Sequence, residues 1–94
     1  MEKTTFKKGK NYLIRTVTHI QVGKLVEING KELVLKNASW VADTGRFYNA
    51  LKEGLENQRS SEIEPFPKGS EVIVSRDALI DAVEYKHKLP TQQK

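Results

Sequence analysis

The sequence predicts a mainly β (α+β) fold: a small antiparallel sheet or barrel with one short helix after residue 44. Three observations lead there. Apolar and β-branched residues alternate with a period of two between Tyr12 and Ile28, as a pleated strand requires. Asn29-Gly30 is the strongest short hairpin signal in the chain, since both residues tolerate the positive φ of a tight primed turn. Past Asp43-Thr44 the period changes, with Phe47, Ala50 and Leu51 at i, i+3 and i+4, the spacing of one helix face.

The elements follow in order. From Tyr12 to Thr18, Tyr12, Ile14 and Thr16 fall on one side and Leu13, Arg15 and Val17 on the other. Ile20, Val22, Val26 and Ile28 make a second strand, with Gly23 opposite as a candidate bulge or close backbone approach. Leu33-Val34-Leu35 is the return strand, extending through Asn37-Ala38-Ser39 towards Trp40-Val41. The helix is expected to be capped by Asp43 or Thr44 and closed by Gly54. It is too short to stand alone, so Phe47 and Leu51 are expected to dock on the sheet. Residues 56–69 are polar and carry Pro65 and Pro67 around Phe66, which predicts a long loop. Glu71 to Ser75 form another strand. Beyond it two patterns compete: Ala78, Leu79, Ala82 and Val83 make a helical stripe, whereas Ile80, Val83, Tyr85 and His87 suit a pleated surface. A turn at Arg76-Asp77 and a last strand is the expectation.

Ninety-four residues, 37% hydrophobic and 30% charged, describe one domain with a thin core of Val, Leu and Ile. Residues 1–10 are expected to be a flexible basic tail, 11–89 the globular domain and 90–94 a C-terminal tail. Cysteine is absent, which excludes a disulfide-stapled fold, a cysteine nucleophile and thiolate metal sites, and two histidines are too few for an ordinary zinc shell. No metal or cofactor is expected. No apolar run reaches the ~18–20 residues of a membrane span and no signal peptide is visible, so a cytoplasmic protein without membrane contact is expected. The net charge of +4 is concentrated at the start, where Lys3, Lys7, Lys8 and Lys10 against Glu2 leave about +1 for the rest. Nucleic-acid binding, which needs cations along one face of the folded body, is therefore not favoured. Exposed strand edges on a small sheet make a homo-oligomer the expectation.

The densest cluster of functional residue types is Asn37 to Asn49. At a strand-to-helix junction, free N–H groups attract anions, Gly45 would let a phosphate approach the backbone, and Arg46 could grip it bidentately. Trp40 or Tyr48 would stack on a base, and Asp43, Thr44 and Asn49 would supply polar contacts. Arg76, Arg59 and Lys88 are further candidate anion contacts. The ordinary structural reading makes Asp43 and Thr44 caps, Trp40 and Phe47 core, and Arg46 surface. Glu62 and Glu64 alternate beside Ile63 and read as solvated carboxylates. No Walker loop, paired-glycine fingerprint, nucleophile elbow or zinc helix is present, and neither His19 nor His87 belongs to an acid–base motif, so an enzyme is not expected.

Asp43-Thr44-Gly45 is similar to the catalytic triplet of aspartic proteases, whose retroviral type are homodimers of comparable length. The chain departs from that pattern: Arg46 stands where a small residue follows the triplet, the triplet lies mid-chain, and the later apolar-Gly-Arg-Asn element has only a loose echo at Val72 to Asp77. A second resemblance covers about residues 12–54. Tyr12-Leu13-Ile14-Arg15-Thr16, Val22-Gly23-Lys24-Leu25, Asn29 to Ala38 and the helix ending in Gly54 resemble small proteins of unknown function encoded by phages and prophages. Here Val41-Ala42-Asp43-Thr44 replaces the aromatic-rich turn of those proteins. The resemblance implies a non-catalytic accessory protein that counteracts a host system. On this reading it sequesters a phosphate-bearing small molecule such as a nucleotide signal, or it occupies the surface of a host enzyme or defence protein.

Overall fold

In the computed structural model, which describes residues 4–94, six strands make one antiparallel sheet. The first three residues of the expected basic tail lie outside that range. Strands β1 (Asn11–Thr16), β2 (Ile20–Asn29) and β3 (Glu32–Asp43) form a meander. In β1, Tyr12 and Ile14 are buried on one face and Leu13 on the other, because β1 lies inside the sheet with β2 on one side and β6 (Leu79–Glu84) on the other. Asn29 pairs with Glu32, so the hairpin loop is Gly30-Lys31, one residue later than the Asn-Gly signal implies. Gly30 alone takes positive φ there, 56°, as a type II′ turn needs. Gly23 meets its expectation: the ladder slips between Val22 and Lys24, and a Cβ at 23 would lie 2.9 Å from the Ala38 Cβ.

The length of β3 shapes the rest. Its first part, Glu32 to Leu35, pairs with β5 (Val72–Ser75), and its second, Ser39 to Asp43, with β4 (Glu62–Pro65). Between them sits Asn37 at φ 53°, the one non-glycine in the left-handed region among the described residues. The order is β4-β3-β2-β1-β6, with β5 beside β3. A 3-10 turn at Arg76–Ala78 joins β5 to β6, its start capped by the Ser75 hydroxyl accepting from the Asp77 N–H at 3.3 Å. Val74 of β5 and Leu79 and Ala82 of β6 pack into one cluster with Tyr12, Ile14, Leu25, Leu33 and Leu35. Residues from opposite edges share this core, so the sheet curls on itself.

The other face is covered by α1 (Phe47–Glu53) and a 3-10 turn at Leu55–Asn57. Ala50, Leu55 and Tyr85 pack there against Leu13, Val22, Val41 and Ile63. Three expectations are corrected. The stretch 56–69 is not one long loop: it holds the end of the 3-10 turn and β4, whose Ile63 is buried between two carboxylates. Neither Asp43 nor Thr44 caps α1. The N-cap is Arg46, without a side-chain cap, because the Asp43 carboxylate accepts the Gly45 N–H at 2.8 Å in a local turn and the helix begins only at Phe47. Docking falls to Ala50 and Leu51 while Phe47 stays partly exposed, its ring 5.0 Å beneath the Arg15 guanidinium. Gly54 closes the helix as expected, φ 102°, its N–H donating to Ala50 O. Residues 90–94 run back along β4, where Lys94 exchanges both backbone hydrogen bonds with Ile63 at 2.8 and 2.9 Å.

Candidate functional site

Strand alternation decides which of the expected site residues meet. Val41 pairs with Ile20 and Ile63 and belongs to the face that α1 covers. Trp40, its neighbour, pairs with Gln21 and Glu64 and faces the opposite way. The indole therefore lies across the sheet from the helix and from Arg46, and is neither core nor a stacking partner for a ligand at the helix start.

The turn itself is internally satisfied. Beyond the Asp43–Gly45 bond, the buried Thr44 donates its hydroxyl to Gly45 O at 2.9 Å. The absent side chain of Gly45 serves Gln58: a Cβ there would stand 2.9 Å from the Gln58 Cβ. The close approach expected for a phosphate is thus made by a side chain of the protein. Gln58 in turn donates to Asn49 O at 3.2 Å. Arg46 is exposed, and among the described residues it has neither an ion pair nor a hydrogen bond from its guanidinium. Tyr48 is 70% exposed, with the Lys52 ammonium 5.8 Å from its ring centre. Arg76 is remote from this turn. Its guanidinium donates to Gly30 O at 2.9 Å and its N–H to Lys31 O at 2.7 Å, fastening the β2–β3 hairpin to the turn before β6.

What the structure does gather lies around Trp40. The indole is 37% exposed and borders three hollows. One of about 470 Å³ is shared with Glu62, Glu64, Gln93 and Lys94. Another, about 450 Å³, includes His19, Gln21, Glu64 and Phe66. The third, about 430 Å³, runs past Val17 and Ile80. None of the three is lined by Asp43, Thr44, Gly45, Arg46, Tyr48 or Asn49. The His19 ring centre is 6.2 Å from that of Trp40, and its Nδ1 is 2.6 Å from the Thr18 hydroxyl. His87 is elsewhere, its Nε2 2.8 Å from Leu51 O and its ring edge-on to Tyr85.

The carboxylates beside Trp40, Glu62 and Glu64, have no ion-pair partner among the described residues. Glu64 accepts one bond from Gln93 Nε2 at 3.1 Å. Lys94, the cation nearest them in the hollow, directs its ammonium to Glu56 O, Gln58 O and the Ser61 hydroxyl, which uses its three donors. Sequence reasoning read Glu62 and Glu64 as loop carboxylates. Their spacing of two around an apolar residue was the available sign that they share a strand face.

Perturbed ionisation is found at the Arg15–Asp81 pair, whose arginine lines the third hollow, and at Tyr85. The Asp81 carboxyl is held below the usual carboxylate range by its hydrogen bonds from Arg15, and Arg15 is raised in return. Burial pushes the Tyr85 phenol up, against the opposing effect of the Leu55 N–H it accepts. Among the described residues no helix is long and apolar enough to cross a membrane. No family model, curated protein or solved structure matches the chain.

Proposed function

We propose that the chain is a non-enzymatic interaction module that recognises a partner protein through the exposed face of Trp40. The observation that carries this reading is the position of the indole, set between three hollows and left partly in solvent. Solvent-exposed aromatic anchors in concave surroundings are the residues that dominate protein recognition. Val17, 79% exposed, and Ile80, 62% exposed, extend the apolar surface around the β1–β2 turn. Glu62 and Glu64 on the other side, without ion-pair partners among the described residues, favour a partner segment that brings a Lys or Arg to the indole, joining a cation–π contact to an ion pair. The resemblance to phage accessory proteins supplies the setting, a host enzyme or defence protein as the partner.

Trp40 is the single tryptophan of the chain, so its fluorescence reads the proposed contact directly. Peptides selected from a display library for binding to the whole protein should shift that emission to the blue on seating. Trp40→Ala should abolish binding and Phe47→Ala, on the other face, should leave it intact. Selected binders that leave the emission unmoved and bind Trp40→Ala as tightly as the parent would refute the reading.

A further inference from the structure

The largest hollow described does not include Trp40, and its walls are cationic. It measures about 760 Å³, within the range of ~300–1,000 Å³ usual for small-molecule sites. Lys24 from β2, Lys68 from the segment before β5, and Lys88 from the segment after β6 line it. No Asp or Glu lines it, and the ion pairs of the described residues hold none of the three lysines. Lys24 has the further burden of standing directly across the ladder from Lys36, a like-charge pairing that opposes sheet formation. Lys36 is drawn aside by Glu71 at 3.9 Å, whereas Lys24 has no such relief.

The floor has a different character. Phe66 is half-buried, one side against the main core and the other towards the hollow, and it is held between Pro65 and Pro67. Its backbone N–H donates to Ala38 O at 2.9 Å, fixing it beside Asn37. Asn37, itself on the wall, is the left-handed non-glycine of β3, a conformation that asparagine tolerates. Asn11 and Asn37 add carboxamide donors and acceptors to the rim.

We infer that this hollow binds a soluble phosphate-bearing small molecule with a flat ring, of the nucleotide class. The three ammonium groups take the phosphoryl oxygens, which relieves the repulsion at Lys24, and the ring lies over Phe66. Such a site shares the Pro65-Phe66-Pro67 wall with the second hollow beside Trp40 but does not include the indole, and its ligand binding can fail or stand without the Trp40 contact. It also differs from the turn at Arg46, where the Gly45 N–H and the Thr44 hydroxyl are bonded within the turn and the guanidinium lines none of the hollows described.

The test is titration calorimetry and thermal shift on the whole chain with ATP, inorganic phosphate, adenosine and a single-stranded DNA oligonucleotide. ATP should raise the melting temperature, inorganic phosphate should do so more weakly, adenosine not at all, and the effect should shrink as salt rises. The double variant Lys68→Glu/Lys88→Glu, both positions outside the strands, should weaken ATP binding by roughly tenfold or more. Lys31→Glu, on the β2–β3 hairpin, should not. Three results would each overturn the inference: no response to ATP, equal response to adenosine, or unchanged ATP affinity in the double variant. Binding of the oligonucleotide without binding of ATP would replace it with a nucleic-acid surface.

Discussion

The phenolic oxygen of Tyr85 accepts the backbone N–H of Leu55 at 2.8 Å in the buried layer between the sheet and α1. This one contact joins the end of β6 to the 3-10 turn after the helix. It satisfies a backbone donor that burial would otherwise orphan, since Leu55 is fully buried.

Tyr85→Phe should therefore cost about 1–3 kcal/mol in urea unfolding, the penalty for a buried donor without its partner. The raised ionisation of the phenol adds a pH dependence with a definite sign. Folding stability is fully present below the unfolded tyrosine value of about 10 and falls as pH rises beyond it. Tyr85→Phe should remove that contribution to the alkaline loss. A variant as stable as the parent at neutral pH would show that the contact carries no weight.

Gly23→Ala should destabilise the domain by about 1–3 kcal/mol through overpacking. The new Cβ would meet the Ala38 Cβ at 2.9 Å and the Ala38 Cα at 3.1 Å, and Ala38 is itself buried. Denaturant midpoints measure this, and Gly30→Ala, with open space around it, separates steric cost from the cost of positive φ.

Arg15 and Asp81 form a forked pair across β1 and β6, Nε to Oδ1 at 2.7 Å with a second bond from Nη2 to Oδ2. Because the Asp81 value is depressed in the fold, its stabilisation is present above the unfolded carboxylate value and is lost as pH falls below about 4. The pair is exposed, so the effect is small and screened. In thermal melts at low salt, Asp81→Asn should be slightly less stable than the parent at neutral pH, and the difference should vanish in acid and in high salt.

Arg46→Ala should change the unfolding free energy by no more than the ~0.5 kcal/mol typical of unpartnered surface positions. Thr44→Val, by contrast, removes the buried donor to Gly45 O and should be measurably destabilising. Equal effects of the two would mean that the guanidinium has a structural role its geometry does not reveal.

Much of the sheet was legible because it is written in alternation. Tyr12 to Ile28 carries enough β-branched residues on a period of two to define β1 and β2, and Gly23 marked its own bulge. β4 was missed because it is four residues long, contains a proline and contributes one buried apolar residue, Ile63; its partner strand, not its composition, makes it a strand. The start of α1 was misplaced because Asp43 bonds two residues ahead and delays the helix. The proximity of Trp40 to Arg46 in sequence suggested one site, and alternation could have placed Trp40 and Val41 on opposite faces. Which of those faces the helix would choose is a tertiary outcome, set by Leu13, Val22 and Ile63 together.

The placement of β1 between β2 and β6 bears on how the molecule assembles. As a ribosome delivers the polypeptide, the early meander emerges with one flank of β1 still unzipped, and its mate arrives only after β3, the helix, β4 and β5 have been made. Such distant pairing slows the search for the native arrangement and leaves Leu13 and Ile14 beside an adhesive seam in the nascent state. Variants that weaken β6 should therefore show first as aggregates during expression, before any loss of binding is seen in the purified molecule.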